Sequence, residues 1–150
     1  MIDKLEIREA NFAHIPSILG LYAQKDIDDG NILSPADAIS IFNRFKSYPN
    51  YNLYVALDDN KVVGTFALLI MDNLAHMGKP SGVVEDVVVD SNLQSQGIGK
   101  KMMEAAMQIC KKHDCYKLTL SSSIHRERAH RFYENLGFEK HGYSFLIALK

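Results

Sequence analysis

The sequence predicts a mixed α/β fold: one sheet of about six to seven strands with helices on both faces. Three observations predict it. Residues 83–89 read Val-Val-Glu-Asp-Val-Val-Val, a β-branched run suited to a central strand buried on both faces. Residues 98–113 form a strong helical pattern, with Ile98, Met102, Ala105, Ala106, Ile109 and Cys110 on one face and lysines, Glu104 and Gln108 on the other. Tyr51 to Leu57 and Lys61 to Met71 flank Asp58-Asp59-Asn60, a hairpin signal.

The remaining elements follow in order. Leu5-Glu6-Ile7-Arg8 alternates apolar and charged residues and reads as a half-buried first strand. Asn11 is placed to cap a helix over roughly residues 13–24, with Ile15, Ile18, Leu19 and Tyr22 on one face. Ser34-Pro35 opens a second helix whose stripe is Ala38, Ile41, Phe42 and Phe45. Residues 72–82 are a loop containing His76. Tyr116 to Leu120 is another strand, and Arg128 to Leu136 a helix that Gly137 ends. Phe138 and Tyr143 to Leu149 supply a final strand or two. The strand–helix–strand unit over 83–120 implies a parallel crossover, and the hairpin an antiparallel part of the same sheet.

The chain has 150 residues, so one domain over 1–150 is expected. Apolar residues make up 47% and charged residues 23%, which excludes a disordered tail or a fibrous repeat. A net charge of −1 argues against a dedicated nucleic-acid binder. Cys110 and Cys115 are too few for a disulfide framework and wrongly spaced for a zinc knuckle, so they read as structural thiols in a reducing compartment. The charged first residues lack a signal-peptide core, and no apolar run approaches a bilayer span of roughly 20 residues. A cytoplasmic protein with no membrane partner is expected. His125 and His130 are badly spaced for a metal pair and no HExxH occurs, so no metal is expected.

The densest chemical signal is Gln94-Ser95-Gln96-Gly97-Ile98-Gly99-Lys100, between the central strand and the long helix. Gly97 and Gly99 permit a sharp turn, and the N–H groups of the first helical turn favour an anion such as a pyrophosphate. The spacing fits neither GxxxxGK[ST] nor GxGxxG. A glycine turn that merely starts a helix is the competing reading.

Val84-Glu85-Asp86-Val87-Val88-Val89 followed by this turn resembles the acetyl-coenzyme A motif of the GNAT N-acetyltransferases. Ala129-His130-Arg131-Phe132-Tyr133-Glu134-Asn135-Leu136-Gly137-Phe138 is similar to a second segment of that family. Residues 76–117 look most like glucosamine 6-phosphate N-acetyltransferases. Residues 126–131 and the Tyr143-Ser144-Phe145 ending look more like aminoalkylphosphonate N-acetyltransferases. Ala129 departs from the asparagine that many relatives carry.

The resemblance implies a GNAT fold and an enzyme that moves an acetyl group from acetyl-coenzyme A to a primary amine of a small molecule. The acceptor would be of the amino sugar phosphate, aminophosphonate or amino acid type. It also implies that Gln94, Ser95, Gln96, Gly97, Ile98, Gly99 and Lys100 hold the pyrophosphate. The pantetheine arm would pair with the backbone of Val87, Val88 and Val89, in a slot where neighbouring strands splay. Tyr133 would protonate the leaving thiolate; its place in an apolar stripe otherwise reads as a core tyrosine. A possible homodimer is a further implication.

Glu85 and Asp86 are candidates for the base and for substrate contact, because burial raises a carboxylate towards useful pKa values. In a regular strand they point to opposite faces, so only one would meet the substrate. Edge charges paired with lysine or arginine are the alternative. His76 is a candidate substrate contact, or an exposed loop histidine. Arg126, Arg128 and Arg131 could hold a phosphate or form a solvated face. A non-catalytic coenzyme A sensor and a protein-amine acetyltransferase are the alternative functions.

Overall fold

The computed structural model describes residue 2 and residues 4–149. It divides into two compact units, Met1–Thr119 and Leu120–Lys150.

The first unit holds a five-stranded sheet in the order β1-β2-β3-β4-β5. β1 (Leu5–Glu9), β2 (Tyr51–Asp58), β3 (Lys61–Met71) and β4 (Ser81–Val89) are antiparallel neighbours. β5 (Lys117–Thr119) runs parallel to β4. Asp59 and Asn60 turn the β2–β3 hairpin with positive φ, which aspartate and asparagine tolerate better than most residues.

Helices cover both faces of this sheet. Asn11 caps a short 3-10 turn (Phe12–His14) rather than the α-helix itself, accepting from the Ala13 N–H at 3.0 Å. α1 (Ile15–Tyr22) then starts with proline in its first turn, where a missing N–H costs nothing. α2 (Pro35–Phe45) is capped by Ser34, whose Oγ accepts from the Asp37 N–H at 3.1 Å. Ile15, Ile18 and Leu19 of α1 and Ala38 of α2 pack with Leu53, Val55, Ala67 and Val88 of the sheet. α3 (Ile98–Lys112) lies on the other face and buries Ile98, Met102, Met103, Ala106 and Cys110. It sits on bare backbone: a Cβ on Gly64 would lie 2.6 Å from Met102 Sδ and 3.3 Å from Ile98 Cγ2. Burial pushes the Cys110 thiol up to about 12, so it behaves as a structural, unreactive group.

The second unit contains α4 (Glu127–Asn135). Tyr133 makes edge contacts with Phe132 and Phe138, at centroid distances of 5.1 and 5.7 Å. Gly137 follows the helix with φ +96°, as a C-terminal stop.

The structure corrects the strand count. Residues 138–149 form neither helix nor strand, so the final strand over 143–149 is absent. Tyr143, Phe145 and Leu146 are 91, 92 and 89% exposed. Strand propensity acts through packing on a neighbouring ladder, and this segment has none among the described residues. β4 also departs from a strand buried on both faces: Glu85 and Asp86 are exposed, and Val83, Val87 and Val89 only half-buried. Among the described residues no helix is long and apolar enough to cross a membrane.

Candidate active site

A bulge in β4 organises the site. Thr65 of β3 opposes Val88, and Ala67 opposes Glu85. One residue of β3, Phe66, therefore faces two of β4, Asp86 and Val87. Asp86 takes φ +53° there. The extra residue reverses the alternation. Before it, Gly82 faces Cys110 of α3. After it, Val88 packs into the α1–α2 core.

The bulge overturns the expectation that Glu85 and Asp86 point to opposite faces. Directly opposed residues of an antiparallel pair share a face. Leu53, Ala67 and Glu85 form one such row across β2, β3 and β4, and Leu53 and Ala67 belong to the α1–α2 core. Asp86 lines a cavity on that same side.

That cavity encloses about 310 Å³ between the sheet, α1, α2 and the loop joining the helices. Its apolar wall includes Ile18, Phe42 and Phe45, and its polar groups include Tyr22, Asp28, Tyr51 and Asp86. Asp86 is exposed by surface area, but the cavity walls around its carboxyl partly desolvate it, and with the Asp28 charge second they raise it above the usual range. Tyr22 is raised by burial first and then by Asp86, against a hydrogen bond with Thr65. Tyr51 is raised by burial, then by Asp86 and Glu85. Both carboxylates thus act on one phenol.

Beside the bulge, β4 has an open edge. β5 pairs only with Ser81, Gly82 and Val83. Val84 to Val89 have β3 on one side and no strand on the other, among the described residues. Gln24, just past α1, pins the end of β4: its Nε2 donates to Val89 O at 3.1 Å and its Oε1 accepts from Ser91 N–H at 2.8 Å.

The glycine turn follows. Gly97 is the residue before α3, with φ +85° and no side-chain cap above it. Ser95 also has positive φ, at +64°. The first N–H groups of α3 lack intrahelical acceptors by the geometry of any helix start. Apart from its own chain neighbours, nothing lies within 4 Å of a Cβ built on Gly97, so the space in front of the turn is open. Lys100 leans towards Glu104 at 3.9 Å.

Other candidates lie elsewhere. His76 does not line the cavity; it has φ +56° and stacks on Tyr116 at 4.5 Å. Tyr133 belongs to the second unit, where burial raises its phenol and Arg126 opposes the shift. His130 Nε2 lies 2.7 Å from Ser123 O, a local contact within that unit.

Comparison with known proteins decides the family. The model of the acetyltransferase (GNAT) family matches residues 20–138. The chain belongs to the GNAT acetyltransferase family. A glucosamine 6-phosphate N-acetyltransferase of Trypanosoma brucei brucei is 37% identical over 54% of this GNAT chain and 53% of its own length. An aminoalkylphosphonate N-acetyltransferase of Salmonella typhimurium is 30% identical over 67% of this chain and 65% of its own. The GNAT chain thus spans about half to two-thirds of the length of these curated relatives. The crystal structure of a Trypanosoma brucei acetyltransferase superposes with a TM-score of 0.85 and 28% identity, covering 97% of this chain and all of that one.

The sequence reading of this GNAT chain passed over Tyr22, Gln24, Asp28 and Tyr51. Tyr22 looked like one more member of a helical stripe and Tyr51 like the start of a strand. One signal was available: two adjacent acids inside a β-branched run cannot both be accommodated by a strand buried on two faces, and a bulge relieves that conflict.

Proposed function

We propose that this chain is an acetyltransferase that moves the acetyl group of acetyl-coenzyme A to a primary amine of a small molecule, in one domain built from both units. The family match runs across both units, from residue 20 to residue 138, and supports the one-domain reading. The observation that carries the function is the β4 bulge. It sets two carboxylates over a cavity on one face of a strand whose edge is open.

In this reading the cavity receives the amine and Asp86 removes its proton, directly or through water. The raised Asp86 carboxyl suits a base better than an ordinary one. Glu85 lies on the same face and adds negative charge beside it. The amine nitrogen forms the new C–N bond, the thioester C–S bond breaks, and the thiolate takes a proton from the Tyr133 phenol. Val87, Val88 and Val89 offer backbone to the pantetheine arm. A donor N–H there would be worth roughly 3–4 kcal/mol to the developing oxyanion. Residues 94–100 hold the pyrophosphate, which fits the open space before Gly97 and an α3 start with no side-chain cap from Gly97. The names of the relatives put amino sugar phosphates and aminophosphonates on the panel of acceptors to be tested.

The test is thiol release from acetyl-coenzyme A across a panel of primary amines, with coenzyme A binding measured by calorimetry. Amine-dependent thiol release is expected. Tight coenzyme A binding with no thiol release under any amine would mark a sensor instead.

A further inference from the structure

The cavity beside Asp86 has a composition that does not suit a phosphorylated acceptor. Its carboxylates are Asp28 and Asp86, and among the described residues no lysine, arginine or histidine lines it. Glu85 stands close enough to raise the Tyr51 phenol together with Asp86. A phosphate held by this lining would meet like charge with no countercharge from the lining itself, which costs several kcal/mol at a binding interface. An ammonium would meet the opposite: carboxylate acceptors and aromatic faces, both of which attract a cation.

The rest of the lining is apolar. Phe45 and Tyr51, both lining residues, stack on one another at 4.3 Å and 16°. Phe42 adds a third ring, tilted 42° to Phe45 at 6.2 Å. At the rim, Ile32 and Leu33 from the α1–α2 loop are 51 and 46% exposed, so apolar surface waits uncovered where a ligand body would rest. The volume, about 310 Å³, falls within the range of small-ligand sites.

We infer that the acceptor is a primary amine carried on an uncharged aromatic or branched aliphatic body, and that Asp28 is the residue that selects it against phosphorylated amines. The inference rests on the acetyltransferase reading for the reaction it serves, while the ligand class comes from the cavity alone. Asp28 suits a clean test because its side chain is exposed and its backbone holds the loop independently. Its N–H donates to Tyr22 O at 3.0 Å and its carbonyl accepts from Asn31 Nδ2 at 3.1 Å.

The experiment titrates 2-phenylethylamine, glucosamine 6-phosphate and 2-aminoethylphosphonate into the full chain with coenzyme A present, and follows thiol release from acetyl-coenzyme A with each. Expected is affinity for phenylethylamine at least about tenfold above either phosphorylated amine. Asp28→Lys should narrow that ratio by about tenfold or reverse it, with the neutral Asp28→Asn between the two. A wild-type preference for a phosphorylated amine overturns the inference, as does a ratio that ignores Asp28→Lys or the absence of phenylethylamine binding. Phenylethylamine binding that depends on Asp28, with no thiol release from any acceptor, supports the ligand class and sinks the acetyltransferase reading.

Discussion

Glu85 and Asp86 are adjacent in β4 yet lie on the same face of the sheet, above the cavity bounded by α1 and α2. A regular strand would send one of them towards α3, where Met102, Met103 and Cys110 are buried and a carboxylate would find no partner. The bulge avoids that burial at the expense of a positive φ at Asp86, a conformation aspartate tolerates. Concentrated negative charge is the result.

The proposed base follows from this crowding. Asp86→Asn keeps the size and the tolerance for positive φ, and removes the proton acceptor. Turnover should fall by about 10²–10⁴-fold, the usual contribution of a positioned base. Because Asp86 is raised, the acid limb of its kcat/KM profile should lie above the ordinary carboxylate range. Asp28→Asn should move that limb down, since the Asp28 charge is the second cause of the shift. Full turnover by Asp86→Asn across pH 6–9 would remove it from the reaction; the same scan on Glu85→Gln tests the neighbour.

The same shift has a consequence for stability. A carboxyl with a raised folded pKa holds its proton more tightly in the folded state than in the unfolded one. Stability therefore falls as pH rises from the ordinary carboxylate value through the raised one, and stays lower above it. Asp86→Asn abolishes that loss. Its Tm should exceed the wild-type value at pH 7, and the gain should shrink as pH falls through about 4 and vanish near pH 3, where the aspartate is protonated in the folded and unfolded states alike. Thermal melts over pH 3–8 check the sign; a gain that persists in acid would point to the backbone at residue 86 instead.

The elements legible in the sequence were those whose signal is local. α3 announced itself by periodicity, the β2–β3 hairpin by Asp58-Asp59-Asn60, and α2 by Ser34-Pro35. The site was legible only in part. Periodicity marks Tyr22 as buried and is silent on its neighbours, so its place in one cavity with Asp86 of β4 is not legible from it. The face shared by Glu85 and Asp86 depends on the register of β4 against β3, a non-local property. The segment over 143–149 failed for the complementary reason: its residues favour a strand, but a strand exists only where another chain segment pairs with it.

Gly97 separates backbone strain from ligand clash. Its φ of +85° would cost an alanine about 1–2 kcal/mol, while asparagine tolerates the left-handed region. Neither side chain meets protein atoms at its Cβ, because the space is open. If that space receives the pyrophosphate, Gly97→Ala and Gly97→Asn should both lose at least about tenfold in coenzyme A affinity, or 1.4 kcal/mol. Only the alanine variant should also lose thermal stability. Unchanged affinity in a folded Gly97→Asn would take the pyrophosphate away from this turn.

Gly64 is the contrasting case, a glycine required by packing. An added Cβ would approach the Met102 sulfur at 2.6 Å and the Val88 carbonyl oxygen at 3.2 Å. The methionine can swing away, but the carbonyl belongs to the strand just past the bulge. Gly64→Ala should cost about 1–3 kcal/mol in urea denaturation, the usual penalty of overpacking. Pairing it with Met102→Ala, which empties the space beside it, should recover part of the loss that Gly64→Ala adds. Independent additive costs would show that the two do not compete for that space.

Tyr133 is the proposed acid for the departing thiolate. Burial raises its phenol from an ordinary value near 10, so it keeps its proton at neutral pH and has one to give. Tyr133→Phe preserves the ring and with it the edge contacts to Phe132 and Phe138. A ring that only fills the second unit needs no hydroxyl, so packing alone would leave turnover unchanged. A hydroxyl buried against a structural partner would instead cost about 1–3 kcal/mol of stability on removal. The acid role makes a third pattern: turnover falls, coenzyme A affinity holds because residues 94–100 are untouched, and the melting temperature stays near wild type. The basic limb of the kcat profile should also respond. In the wild type it should lie above the ordinary phenol value, because turnover needs the protonated form and burial delays its loss. In Tyr133→Phe that limb should disappear. Wild-type turnover together with a lowered melting temperature would make Tyr133 a structural residue and leave the thiolate to draw its proton from water.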